Sequence, residues 1–272
     1  MSFSADWLAL RQAADSRARA DTLAQAVAQW LGHHDDPARV LYLDLGSGSG
    51  ANVLHLSPQL DAQRTWLLID QDAALLQQAQ LRCRTLPAVR TLQCDLAQGL
   101  ASLPWSQAAL VTCSALLDLV SADWLTQLAD LAAAQRLPLL LALSYDGRSA
   151  LHPPVADDAW LCSTVNAHQR SDKGFGPALG PDAVQHCAQL LRDRGYWVQL
   201  QASDWLLNAR HSADAALLRP LLTGWAEAAA EWNAGQQPRI TAWLQQRLAE
   251  VDQGQLQVRV GHQDLLALPP PA

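Results

Sequence analysis

The stretch Val40-Leu41-Tyr42-Leu43-Asp44-Leu45-Gly46-Ser47-Gly48-Ser49-Gly50 decides how the rest of the chain is read. Its first half is a mostly aliphatic strand, and glycines then occupy every second position. Glycine tolerates positive φ and carries no Cβ, so the turn can bend sharply and a ligand can approach the backbone. A helix starting near Ala51 turns its free N–H groups toward an anionic group of that ligand. Strand, glycine turn and helix together mark a nucleotide-binding unit of an α/β protein. The turn alone leaves two cofactors open, because Gly46-Ser-Gly48-Ser-Gly50-Ala51 also satisfies the dinucleotide pattern G-x-G-x-x-A.

Outward from this unit, strand and helix alternate. Arg39–Leu45, Trp66–Asp70, Val89–Gln93, Ala108–Cys113 and Leu137–Leu143 read as strands with nearly continuous apolar runs. Between them, Asp72–Arg84 turns Leu75, Leu76, Ala79 and Cys83 to one side, and Ser121 caps a helix with a Leu125, Leu128, Ala132 stripe. Strands of this kind imply a parallel sheet covered on both faces. Ahead of the sheet, residues 4–31 read as helix ended by Gly32, with Asp21 capping its second half. Beyond it, 144–180 reads as a loop region with a short helix around 156–169. Pro181-Asp182 opens a helix closed by Gly195, Tyr196–Gln201 is a strand, and helices follow at about 213–233 and 238–251. Pro220 should kink the first of these or mark its start. Leu256–Val260 is the last strand and 269–272 a frayed tail. The expected organisation is one domain: a helical cover (1–38), a core (39–202) with a loop insertion (144–180), a helical insertion (203–254), and the last strand and tail (255–272).

Three acids narrow the choice of cofactor. Asp44 stands two positions before the first glycine. Asp70 ends the second strand, twenty residues beyond Gly50, where a carboxylate can accept both hydroxyls of a ribose. Asp95 follows the third strand in Gln93-Cys-Asp95-Leu96, where an acid can take the amino group of an adenine. This motif order resembles that of the class I S-adenosylmethionine-dependent methyltransferases over residues 39–145. The resemblance implies a Rossmann-like α/β fold, a seven-stranded mostly parallel sheet with helices on both faces, and S-adenosylmethionine as cofactor. It implies a cofactor site of Asp44, Gly46, Ser47, Gly48, Gly50, Asp70, Gln71, Asp95 and Leu96. Ser114 would sit beside the sulfonium end, and Arg19 would reach the methionine carboxylate. Strand, two helices and strand over 196–260 are compatible with the family's final antiparallel hairpin, opened by a helical insertion. Dehydrogenase sheets lack that hairpin. Ser114-Ala-Leu-Leu stands where adenine-N6 and glutamine methylation would call for an Asn-Pro-Pro-Tyr-like sequence, and that loop has no Pro-Cys pair for cytosine-C5 chemistry. The alternatives are an NAD-dependent oxidoreductase and a non-catalytic cofactor-binding protein.

Residues that could serve an acceptor cluster after the fifth strand, in Ser144-Tyr145-Asp146-Gly147-Arg148 and in the loop Asn166 to Gly176. His168 is the candidate general base, since an imidazole titrates near neutrality. Tyr145, Asp146, Gln169 and Lys173 are candidate acceptor contacts. Asp118 and Lys173 also read as surface charges, and His262, in a late loop, receives no role. One or two of the eleven tryptophans should line the acceptor pocket. A net charge of −7 and arginines no denser than Arg17/Arg19 and Arg82/Arg84 argue against a nucleic-acid partner. Five scattered cysteines without a CxxC spacing argue against a disulfide frame or a metal site and read as buried reduced thiols. The first residues show no secretory pattern and the apolar runs are too short for a membrane span, so the expected location is cytoplasmic. Apolar insertions at the pocket mouth favour a small-molecule acceptor.

Overall fold

The computed structural model describes residues 4–34 and 36–270. Five strands alternate with helices as the periodicity requires: β1 (Leu41–Leu45), β2 (Thr65–Asp70), β3 (Val89–Gln93), β4 (Ala108–Ser114) and β5 (Leu139–His152). They are followed by β6 (Trp197–Ala202), β7 (Trp205–Asn208) and β8 (Gln257–Leu268). The order across the sheet is β3-β2-β1-β4-β5-β8-β6, with the first five strands parallel and β8 antiparallel to its neighbours. Among the described residues there are eight strands where seven were expected. β6 and β7 both flank β8 and are separated only by Ser203-Asp204, so seven positions across the sheet are kept and one edge is interrupted.

The period-2 alternation of β1 sorts its side chains onto two cores. Leu41, Leu43 and Leu45 pack with α6 (Ala122–Gln135) and α8 (Ala183–Asp193). Tyr42 faces α2 (Asp21–His33), α3 (Ala51–Leu56) and α4 (Ala73–Arg82) on the other side. A third core lies off the parallel sheet. There α1 (Ala5–Ala18), α7 (Asp158–Gln169), α9 (Ser212–Trp232) and α10 (Gln237–Asp252) gather on β7 and the far ends of β5 and β8. The buried Arg247 of α10 ties that module to α7 through Asp158, and it also pairs with Glu250.

Several boundaries differ from the sequence expectation. The N-terminal helix is two helices, broken at Arg19-Ala20, because the buried Asp264 of β8 accepts the Ala20 N–H at 3.0 Å. The other oxygen of Asp264 accepts the Leu143 N–H at 2.7 Å and holds Leu143 at a left-handed φ of 52°. That kink lets β5 continue past the expected end, so Ser144–Arg148 is strand, with register shifts, and not loop. β8 is likewise longer than Leu256–Val260 and includes His262. Pro220 lies inside α9 and neither starts it nor ends it. All five cysteines are free, but Cys94 and Cys162 are only half-buried. Of the expected frayed tail, residues 271–272 lie outside the described residues.

Candidate active site

The C-terminal ends of β1 to β4 border one cavity, where an open α/β sheet places its ligands. Gly46, Ser47, Gly48, Asp70, Gln71, Asp95, Leu96 and Ser114 line it as expected. The Ser47 hydroxyl donates to the Asp44 carbonyl at 2.7 Å and accepts the Ile69 N–H at 2.9 Å, riveting the turn between β1 and β2. Asp70 Oδ2 accepts the Gly48 N–H at 2.8 Å and Oδ1 the Asp72 N–H at 3.0 Å. Each oxygen keeps a lone pair, so the carboxylate can still accept a pair of hydroxyls. Asp95 caps α5 (Leu96–Gly99) through the Ala97 N–H and borders the cavity as well. Gly50, at φ 81°, stands at the N-cap of α3 and not on the cavity wall.

Asp44 lies behind the turn, fully buried. Its Oδ1 accepts from Asn52 Nδ2 at 2.6 Å and from Thr112 Oγ1 at 2.7 Å, while Oδ2 has no hydrogen-bond partner. Burial raises this carboxyl above its ordinary range against the pull of those two donors. Asp44 itself does not border the cavity; through Asn52 and Thr112 it ties the glycine turn to α3 and β4. Arg19 does not border the cavity. Its guanidinium is committed to Asn52 Oδ1 at 2.7 Å and stands 3.6 Å from Asp264, so it braces Asn52, which braces Asp44. The arginine on the cavity wall is Arg11, clamped by both oxygens of Asp15 at 2.9 and 3.1 Å. Leu8 of α1 closes over Gly48, and Phe175 closes from the opposite loop.

A second cavity, of about 480 Å³, adjoins the first, and Arg11, Ala115 and Leu119 border both. Ala115 holds a left-handed φ of 53°, a strained geometry for a residue with a Cβ, at the point where the two cavities meet. Tyr145, His168, Gln169 and Lys173 line this second cavity. Asp146 does not. Its side chain turns to Arg148, accepting from Nε at 2.7 Å, because the bulged β5 directs successive side chains to opposite faces. His168 and Gln169 belong to the last turn of α7 and not to a loop, and Phe175 of the same segment serves the first cavity.

His168 has both ring nitrogens engaged. Nε2 lies 2.8 Å from Glu231 Oε2, and Nδ1 lies 3.4 Å from Lys173 Nζ, which also donates to Ser171 Oγ at 2.9 Å. With the ammonium donating to Nδ1, the imidazole carries its proton on Nε2 toward Glu231. Lys173 is buried and not a surface charge, and that burial lowers its pKa. Asp118 is also not a surface charge. It sits on a 3-10 turn with 8% exposure, its Oδ1 has no partner, and burial pushes it up to about 6.

His262, without an assigned role on sequence grounds, is buried in β8. It packs on Trp205 (ring centroids 5.0 Å apart) and Tyr145 (6.1 Å), and burial pushes it down to about 4, so it is neutral at pH 7. Trp7, Trp205 and Trp225 supply the aromatic walls. Two of the residues missed left a signal. Asp118 is the one charge in Leu116-Leu117-Asp118-Leu119-Val120, and His262 continues the alternation Val258, Val260. No sequence signal sets Arg11 apart from Arg17, since each has an aspartate at i+4, Asp15 and Asp21. Among the described residues, no group of His, Cys, Asp or Glu is arranged to hold a metal ion, and no helix is long and apolar enough to cross a membrane.

Comparison with known proteins agrees with this geometry. Residues 43–136 match a family model described as a methyltransferase domain. No curated protein matches the sequence. Among solved structures, the chain is similar to a Bacillus halodurans C-125 protein assigned as a methyltransferase, at 14% identity and TM-score 0.50, covering 90% of this chain and 99% of that one. The YcgJ protein of Bacillus subtilis follows at 14% identity and TM-score 0.49, with 91% and 99% covered. A cyclopropane-fatty-acyl-phospholipid synthase-like protein of Lactobacillus casei ATCC 334 has 15% identity and TM-score 0.49, with 98% and 95% covered. At 14% identity the first of these speaks for the fold alone. The family match spans the glycine turn and all three acids, so residues 43–136 are similar to a methyltransferase domain.

Proposed function

We propose that the protein transfers the methyl group of S-adenosylmethionine to a small-molecule acceptor bound in the second cavity. The observation that carries this reading is the shared wall. Ala115 and Leu119, just past Ser114 at the end of β4, border both cavities, so a molecule in one meets a molecule in the other there. When bound, the cofactor supplies an electrophilic methyl group on a sulfonium. What remains for the chain is alignment and exclusion of water, and alignment alone can supply up to roughly 7–11 kcal/mol of barrier lowering. Asp70 and Asp95 would hold ribose and adenine, and Ser47, Gly46 and Gly48 would hold the turn against the cofactor. The size of the second cavity falls within the range of about 300–1,000 Å³ usual for small-ligand sites. α1, α7 and α9 surround it, which supports a small acceptor over a protein chain. Lys173 would contact the acceptor, and His168, engaged at both nitrogens, would orient Lys173 where sequence reasoning had it acting as the base.

Calorimetric titration with S-adenosylmethionine, S-adenosylhomocysteine and NAD tests the cofactor half. The first two should bind, and Asp70→Ala should weaken them roughly tenfold to hundredfold, the span of a charged hydrogen bond worth about 1.5–3 kcal/mol. Binding of NAD in their place would overturn the reading. Incubating a metabolite extract with methyl-deuterated cofactor and finding label only on protein would overturn the small-molecule half.

A further inference from the structure

We infer that the acceptor is an amine, seated as an ammonium among Trp7, Tyr145 and Trp225 with its nitrogen against the carboxylate of Asp118. The inference rests on the second cavity being the acceptor site. Its charges show what is missing from it. Arg11 is matched by both oxygens of Asp15, and Lys173 is matched by Glu231 through His168. His262 is neutral, and Glu227 lies exposed on the wall formed by α9. Asp118 is left over. It is more than nine-tenths buried, it borders the cavity, and its Oδ1 accepts no hydrogen bond.

A buried carboxylate oxygen without a donor is unfavourable unless a ligand brings one, and an ammonium brings three. The rest of the lining agrees, because aromatic faces attract cations and most strongly when water is excluded. An anionic acceptor would meet the opposite field from Asp118 and gain nothing from the rings. A neutral hydroxyl could satisfy Asp118 but would leave the aromatic walls without their preferred partner.

The chemistry closes on the same residue. The ammonium gives one proton to the Asp118 carboxylate, which frees a nitrogen lone pair. That pair forms the N–C bond as the C–S bond breaks, with its electrons going to sulfur. Asp118 then passes its proton to water and the product leaves as a methylammonium. Burial holds Asp118 at about 6, ionised at pH 7 yet more basic than an ordinary carboxylate.

The experiment is calorimetry on the full chain saturated with S-adenosylhomocysteine, using three probes of one shape: 2-phenylethylammonium, 2-phenylethanol and phenylacetate. The ammonium should bind about tenfold or more tightly than the alcohol, and phenylacetate weakest, as expected for one charge-assisted hydrogen bond. Asp118→Asn should remove that preference while leaving alcohol and S-adenosylhomocysteine affinities within about twofold. Absent ammonium binding, equal affinity for ammonium and alcohol, tighter phenylacetate binding, or an unchanged preference in the variant would each overturn the inference. The ranking on the unsubstituted chain decides the matter alone should the variant fail to fold. Failure of S-adenosylhomocysteine to bind the unsubstituted chain would instead bring down the cofactor reading beneath it.

Discussion

Asp118→Asn should make the cofactor-free protein more stable at neutral pH, and the gain should depend on pH in one direction. Burial pushes the folded-state carboxyl from 3.8 to about 6, opposed by the Arg11 guanidinium of α1 and by a backbone donor at Tyr145 of β5. The folded chain therefore holds the Asp118 proton more tightly than the unfolded chain does. Between about pH 4 and pH 6 the native state carries the extra proton, so this residue's contribution falls as pH rises through that window and is constant above it. The interval from 3.8 to about 6, at about 1.4 kcal/mol for each pH unit, sets a ceiling of about 3 kcal/mol. The amide of Asn is also buried and has donors of its own to satisfy, so a realised gain of about 1–3 kcal/mol is expected. Urea unfolding of both proteins at pH 4.5, 6 and 8 measures it. The gap should be small at pH 4.5 and largest at pH 8. A variant no more stable than the parent at pH 8, or a gap independent of pH, would refute the claim that an unpaired buried charge sits there.

Other substitutions probe separate parts of the structure. Gly48→Ala places a Cβ 3.2 Å from Leu8 Cδ1 at a left-handed φ of 50°, so it should cost about 1–2 kcal/mol in urea unfolding and weaken S-adenosylhomocysteine binding, both of which are directly measurable. Lys173→Met, which removes a cation from the second cavity, should lower the KM of an ammonium acceptor and leave S-adenosylhomocysteine affinity unchanged by calorimetry, since Lys173 borders only that cavity. Arg247→Met leaves the buried Glu250 and the half-buried Asp158 without their cation and should cost about 3–5 kcal/mol in urea unfolding at pH 7.

The core from β1 to β4 was legible because its signals are local. Apolar runs, glycine spacing and an acid at each strand end lie within a few residues of one another, and they placed most of the first cavity's wall. The second cavity was legible in part, since Tyr145, His168, Gln169 and Lys173 do line it. What failed there depends on partners distant in sequence. Ser144–Arg148 reads as a turn because Gly147 and polar residues interrupt it, yet β8, more than a hundred residues later, pairs with it. Arg19 is indistinguishable from a solvated arginine until Asp264 folds against it. Asp118 and Lys173 resemble surface charges because a charge is normally exposed, and only the tertiary fold shows these two buried.

The three separate hydrophobic cores have a consequence for how such an enzyme diversifies. The glycine turn and Asp70 rest on the two cores that sandwich the parallel sheet, whereas Trp205, Trp225 and most of the helices around the second cavity belong to the third. Repacking that third core can reshape the second cavity while the glycine turn keeps its own foundations. The exception is α1, whose Leu8 leans on the glycine turn while Trp7 and Arg11 reach the second cavity. Substitutions in this one helix register at both sites at once. Changes to the cavity-facing side chains of α7 and α9 leave the supports of the glycine turn in place, whereas changes along α1 reach both cavities.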